Sequence, residues 1–208
     1  MVEVYYYIPL EKVSTSIDCG IKLSESYDKE VLIEGDRRKC LSALLNPRDD
    51  IEKYRSKELK CVKLEVQPRY CFIAEKCFYQ VGLNFPNVMD MYIASIIPIE
   101  KYKFGFYRMP ECLVTSTVIG GHITLLNKGL DSPILFESSE LLYTNNIIEI
   151  YRENYPDIND AMLYCFFSKL AEIKKFDKIE DNSNGLSIFI DKESGNDFTI
   201  KIPDIHAY

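Results

Sequence analysis

The chain opens on a strand pattern. Val2, Val4 and Tyr6 alternate with Glu3, Tyr5 and Tyr7, and β-branched and aromatic residues suit an extended backbone. Pro9 ends the run. Leu10, Val13 and Ile17 then recur at helical spacing, and Gly20 is placed to end that helix with a positive φ. Ile21 and Leu23 resume an extended segment. Over residues 36–46, Leu41, Leu44 and Leu45 predict a short helix, stopped by Asn46-Pro47 because the residue before a proline avoids the α region. Asp49 to Glu58 is charged and reads as a short helix or an exposed loop. Cys61 to Val66 alternates cleanly and predicts a strand, and Tyr70 to Ala74 a second apolar stretch after a turn at Pro68.

Phe85-Pro86-Asn87 punctuates the middle of the chain, and Met91 to Ile99 is apolar without a clear period. Cys112 to Val118 reads as a strand broken by Gly120-Gly121, and Pro133 to Phe136 as a short strand. Helical patterns follow at about 138–153 and 159–175. In the second, Leu163, Phe166, Phe167, Leu170 and Ile173 form an apolar stripe, with Asn159 or Asp160 as a cap. A hairpin closes the pattern, from Leu186 to Ile190 and from Phe198 to Ile202 around Gly195. Strands and helices mix without strict alternation. The expected fold is therefore α+β: one domain over residues 1–208, with mixed or antiparallel sheets and flanking helices.

Composition narrows the class. The 208 residues are 47% hydrophobic and 27% charged, far from a disordered chain. The longest apolar runs, such as Ile93 to Ile97, fall well short of the ~20 residues that span a bilayer. The opening MVEVYYYIPLEK lacks a basic n-region and an apolar h-region, so a cytoplasmic protein with no membrane partner is expected. Net charge is −7, which disfavours a nonspecific nucleic-acid binder but leaves room for a local basic groove. The seven cysteines are odd in number and irregular in spacing, which suits reduced thiols.

Several chemistries lack their residues. There is no glycine-rich run into Gly-Lys-Ser/Thr and no dinucleotide fingerprint of spaced glycines. Only His122 and His206 are available, too few for a histidine-rich metal centre, and Cys71 and Cys77 are too far apart for a zinc pair, so no metal is expected. The cysteines read as ordinary buried thiols, with Cys112 and His122 a conceivable nucleophile and base.

Three features suggest a site. Tyr5-Tyr6-Tyr7 lie on the opening strand, ahead of the helix that ends at Gly20. Arg37-Arg38 precede Asn46-Pro47-Arg48. Glu111 stands at the mouth of an apolar strand in Tyr107-Arg108-Met109-Pro110-Glu111-Cys112-Leu113-Val114. In this order the motifs resemble the ADP-ribosyltransferase superfamily, and within it the DarT-like enzymes that modify single-stranded DNA. Those proteins open with a strand bearing Tyr-His, then a helix ending in Gly, an Arg-Arg pair, a segment ending Asn-Pro-Arg, and a glutamate in an Ala-Glu-aliphatic-Leu-Val run. The likeness covers the first ~125 residues. The chain also resembles a family of uncharacterised clostridial proteins. Two positions depart from the pattern: the family's histidine falls on Tyr6, and Pro110 replaces the small residue before the glutamate.

The resemblance implies an NAD-dependent transferase, of a kind that can be a toxin with a neutralising partner. Glu111 would be catalytic, stabilising the positive charge that builds on the ribose as the nicotinamide bond breaks. Arg38 would act beside it, with Arg37, Arg38 or Arg48 neutralising the cofactor's phosphates. Tyr5, Tyr6 and Tyr7 would offer a flat face and hydroxyls to the cofactor. The acceptor would be a base in single-stranded DNA, or a protein. Two other readings stay open: a binding module on the same fold without turnover, favoured by Tyr6 in place of histidine, and an interaction protein on an unrelated α+β fold. In the plainest case Glu111 is a surface carboxylate at a strand edge, the tyrosines are core and edge aromatics, and the arginines pair with Asp36, Asp49 and Asp50.

Overall fold

A computed structural model describes residues 1–126 and 138–204. They combine helices with antiparallel sheets, an α+β architecture, and divide into two compact units, Met1–Asn146 and Ile147–Tyr208. The expected strand at Pro133 to Phe136, and His206, lie outside the described residues. Among the described residues no helix is long and apolar enough to cross a membrane.

The first unit is built on β1 (Val2–Pro9), followed by α1 (Val13–Cys19), then β2 (Lys29–Ile33) and β3 (Asp36–Leu44). The helix expected over 36–46 is a strand. Leu41 and Leu45 pack into the core on one side of the sheet and Leu44 on the other, so their helix-like spacing reflects burial on both faces. The β2–β3 hairpin turns at Glu34-Gly35, both with positive φ (53° and 91°), as a type I′ two-residue loop requires.

The chain continues through α2 (Ile51–Arg55), β4 (Leu59–Val66), β5 (Cys71–Glu75), α3 (Lys76–Gly82), α4 (Pro86–Ser95), β6 (Ile97–Pro98), β7 (Pro110–Val114) and β8 (Ile123–Leu125). The strands form one antiparallel sheet in the order β6-β5-β7-β3-β1-β4-β8, with β2 paired to β3. Every residue of β5 and of β7 is buried, so neither shows the alternation of a half-exposed strand. β4 does alternate and matches its sequence pattern. The strand expected from Cys112 to Val118 ends at Val114, and Val118 instead bridges Ile21. The apolar run from Met91 resolves into the end of α4 and the short β6.

α5 (Ser139–Arg152) precedes the second unit's α6 (Ile158–Glu172), β9 (Phe176–Asp181), β10 (Leu186–Asp191) and β11 (Asp197–Lys201), a sheet ordered β11-β10-β9. The closing hairpin is as the sequence predicts. The polar β9 was not marked by any hydrophobic period. α6 meets its sheet through Tyr164 and Phe167, whose ring lies 5.1–5.6 Å from those of Phe176, Phe189 and Phe198. Leu163, Phe166 and Ile173 of the expected stripe are exposed. Asp157 takes the cap position, so Asn159 and Asp160 fall inside the first turn.

Gly20 ends α1 at φ 83°, and a Cβ there would run into the Val118 carbonyl. Gly20→Ala combines positive-φ strain with that clash. It is expected to lower stability by about 1–3 kcal/mol, seen as a reduced urea midpoint with unchanged slope.

Candidate functional site

The register places one row of residues across the middle of the first sheet: Ala74, Glu111, Leu44, Tyr5 and Lys63 on β5, β7, β3, β1 and β4. Glu111 is therefore central, not an edge residue, and it is 0% exposed. An ionised carboxylate there needs a full set of partners, because burial removes its hydration. It has them. Lys29 Nζ lies 2.9 Å from both carboxylate oxygens, the Tyr92 hydroxyl donates at 2.9 Å, and the Ser42 hydroxyl donates to Oε2.

Local structure aims each partner. Lys29 opens β2 opposite Cys40, and Ser42 lies two residues beyond Cys40 on β3, so both side chains share the face that carries Glu111. Tyr92 comes from α4, which covers that face, and is itself 0% exposed. The Lys29 ammonium also stands 3.8 Å from the centre of the Tyr79 ring, and Tyr79 meets Tyr92 edge to face at 5.0 Å. Burial, and then Glu111, push the Cys40 thiol up to about 12. Burial and Glu111 likewise raise Tyr92, which keeps its proton to donate.

Next to this cluster the sheet parts. β2 takes the beginning of the β3 edge, while β1 pairs with it only at Tyr5–Leu44. Asp28 fills the gap: the Ser42 N–H donates to it at 2.7 Å and the Tyr6 hydroxyl at 3.0 Å. A cavity of about 310 Å³ opens here, lined by Tyr5, Tyr6, Tyr7, Lys29, Ser42, Lys76 and Tyr79. A second, of about 490 Å³, is lined by Leu44, Arg48, Arg55, Lys76, Arg108 and Glu140 among others. Leu44 and Lys76 line both, so the two adjoin as one groove, with tyrosines beside Lys29, Lys53 and Asp28 at one end and Arg48, Arg55 and Arg108 beside Asp49 and Glu140 at the other.

The structure thus brings Tyr5, Tyr6, Tyr7 and Arg48 to one groove and sets Glu111 directly beneath its Lys29–Ser42 floor. Arg37 and Arg38 line neither cavity. Arg38 pairs with Glu34 at 3.3 Å and Asp36 at 3.7 Å on the hairpin, and Arg37 is exposed. Cys112 is buried against Cys71, which together with burial raises its thiol, while His122 faces Glu65 at 3.8 Å. Among the described residues no His, Cys, Asp and Glu group could hold a metal ion. Sequence reasoning missed Lys29, Ser42, Tyr92 and Asp28, which carry no motif. Arg108 lies in the Tyr107–Val114 run, where the sequence pattern gives it no role.

Removing the carboxylate would leave Lys29 buried without its counter-ion. Glu111→Ala is expected to cost about 3–5 kcal/mol by chemical denaturation. Lys29→Met combined with Glu111→Leu should cost less than the two changes summed. Simple additivity would show that the pair is not coupled.

Burial raises the hydroxyls of Tyr5, Tyr6, Tyr7 and Tyr92 above their ordinary value of 10.0, with Asp28 adding to the shift at Tyr6. Below about pH 10 the folded and unfolded chains both hold these protons. Above it the unfolded chain releases protons that the folded chain keeps, so stability falls as pH rises. Urea midpoints should decline from that point, with part of the tyrosinate absorbance appearing only on unfolding. A midpoint that holds steady there would contradict the burial of these phenols.

Compared with protein-family models, with curated proteins and with solved structures, the chain matches none.

Proposed function

We propose that the groove of the first unit binds a nucleotide-type ligand, with NAD the first candidate. The observation that carries this is the groove itself: a tyrosine wall joined through Leu44 and Lys76 to a cationic end, in a chain of net charge −7. Tyrosine faces suit a base or nicotinamide ring, and the guanidinium of Arg48 suits a phosphate. Arg37 and Arg38, away from the groove, have no part in this reading. Glu111 is engaged by Lys29, Ser42 and Tyr92, so its role in the resting groove is to hold the Lys29 ammonium at the floor. This is binding without turnover.

A second reading keeps the transfer chemistry. Two of Glu111's donors, Lys29 and Ser42, line the groove. A ribose hydroxyl that replaced Ser42 would bring Glu111 against the ring on which positive charge develops, as an NAD-dependent ADP-ribosyltransferase requires. The acceptor would then be a macromolecule. The loop beside Arg108 exposes Phe104 (57%) and Phe106 (64%) next to Lys103, a surface on which the bases of a single strand of DNA can stack.

Calorimetric titration with NAD, together with an assay for nicotinamide release with and without single-stranded DNA, tests both. Binding that falls about tenfold or more in Arg48→Ala or Lys76→Ala, without release, establishes the first reading. Release that disappears in a folded Glu111→Gln establishes the second. Absence of binding by NAD, ADP-ribose and ATP alike would sink the nucleotide reading.

A further inference from the structure

A second carboxylate is buried at the groove, and neither reading uses it. Glu75 is 5% exposed at the end of β5, where it pairs in register with Pro110. Its side chain accepts three backbone N–H bonds: from Arg108 at 2.6 Å, from Met109 at 3.0 Å and, as the cap of α3, from Cys77 at 3.2 Å. Helix capping accounts for only the last of these. The other two reach across to a loop that enters β7 and supplies Arg108 and Met109 to the groove lining. The adjoining backbone repeats the link, since the Lys76 N–H donates to the Met109 carbonyl at 2.9 Å. Lys76 and Arg108, two cations of the groove, are thus tied to each other through Glu75 and its neighbour.

The surroundings keep the carboxylate in place. The Glu75 N–H donates to Ser95 Oγ at 3.1 Å, and Ser95 Oγ donates to the Tyr92 carbonyl at 2.7 Å. Tyr107, one residue before Arg108, donates to the Ser95 carbonyl at 2.6 Å. Among the described residues the Arg108 guanidinium is held by Glu140 alone, its Nε and Nη2 both donating to one carboxylate oxygen at 2.8 and 2.5 Å, in an ion pair whose partners are each more than half exposed. Such a surface pair is weak and exchangeable with an incoming anion. The backbone at Arg108 is held firmly and the guanidinium loosely, which is the arrangement of a residue that reaches for a ligand from a fixed base.

We infer that Glu75 is a positioning residue of the groove, fixing the backbone of Arg108 so that its guanidinium and the Lys76 ammonium converge on the phosphates of the bound ligand. The inference rests on the groove reading above. It places Glu75 out of contact with the ligand, acting only through Arg108.

Inorganic pyrophosphate is the probe, titrated calorimetrically into wild type, Glu75→Gln, Arg108→Ala and the double variant, with folding checked by circular dichroism. Glu75→Gln keeps the size of the side chain but loses one acceptor oxygen and the charge. It should bind pyrophosphate about five- to tenfold more weakly, and the loss should vanish in the Arg108→Ala background. If Glu75→Gln does not fold, Glu75→Asp serves, since it keeps the charge and shortens the arm to the loop. A wild type that ignores pyrophosphate would overturn the groove reading and this inference with it. A wild type that binds while Glu75→Gln binds equally well, or a loss that persists in Arg108→Ala, would overturn the role of Glu75 alone.

Discussion

The Lys29–Glu111 ion pair is the constraint on which the first unit turns. A carboxylate in the centre of a sheet, away from water, is a cost of several kcal/mol unless charge and hydrogen bonds are returned to it. The return comes from three places distant in sequence: the start of β2, the middle of β3, and the inner face of α4. For Lys29 to reach Glu111 the β2–β3 hairpin must pair in its observed register, and for Tyr92 to reach it α4 must lie over β7 and β5. A buried ion pair of this kind is weak evidence of stability. It is better understood as specifying one arrangement of hairpin, sheet and helix among several that an apolar centre would tolerate.

The groove follows from the same hairpin. β2 takes the first part of the β3 edge and β1 meets the same edge only at Leu44, so between them a backbone N–H at Ser42 would be left without a strand partner. Asp28 satisfies it and turns to hold Tyr6 as well. Neighbouring residues in an extended chain point to opposite sides, so Asp28 serves the gap while Lys29 serves the buried carboxylate. One dipeptide thereby opens a cavity and fixes its floor. Glu75 does comparable work at the other end, where β5 gives way to α3 and a loop returns to β7.

The sequence made some of this legible. β4 alternates because one of its faces is less deeply covered, and α5, α6 and the closing hairpin carry clear periods or turn signals. β3 looks helical over residues 36–46 because Leu41, Leu44 and Leu45 satisfy a helical spacing by accident while facing both sides of a sheet. Tyr5, Tyr6 and Tyr7 could be found as a group since adjacent aromatics on a strand are conspicuous, and Glu111 because a charge preceding an apolar run is. Arg37 and Arg38 were equally conspicuous, yet their position at the far end of a hairpin depends on a turn that the pattern did not reveal. Lys29, Ser42 and Tyr92 each look ordinary in sequence. What sets them apart is convergence on one carboxylate, a property of the fold that no local period carries.

The groove also has a direction, which the charges decide. Lys29 is neutralised by Glu111 beneath it, and Lys53 stands 3.5 Å from Asp50, so the tyrosine end carries little net charge from these pairs. Arg108 is shared with Glu140. Among the described residues no carboxylate stands within 4.0 Å of Arg48, Arg55 or Lys76, and all three line the larger cavity, where Asp49, itself bound by Ser139, feels the charge of Lys76. The attraction for an anion therefore centres there, while the smaller cavity offers tyrosine rings, the Tyr6 and Tyr7 hydroxyls being taken by Asp28 and by the Pro47 carbonyl. A ligand with a planar group at one end and phosphates further along would enter in one orientation, planar group toward Tyr5–Tyr7 and phosphates toward Arg48. That orientation places whatever lies between them above Ser42 and Lys29, the two groove residues in contact with Glu111. For the proposed nucleotide, turnover would require one exchange, a ligand hydroxyl taking the place of the Ser42 hydroxyl against a carboxylate that already has all its partners.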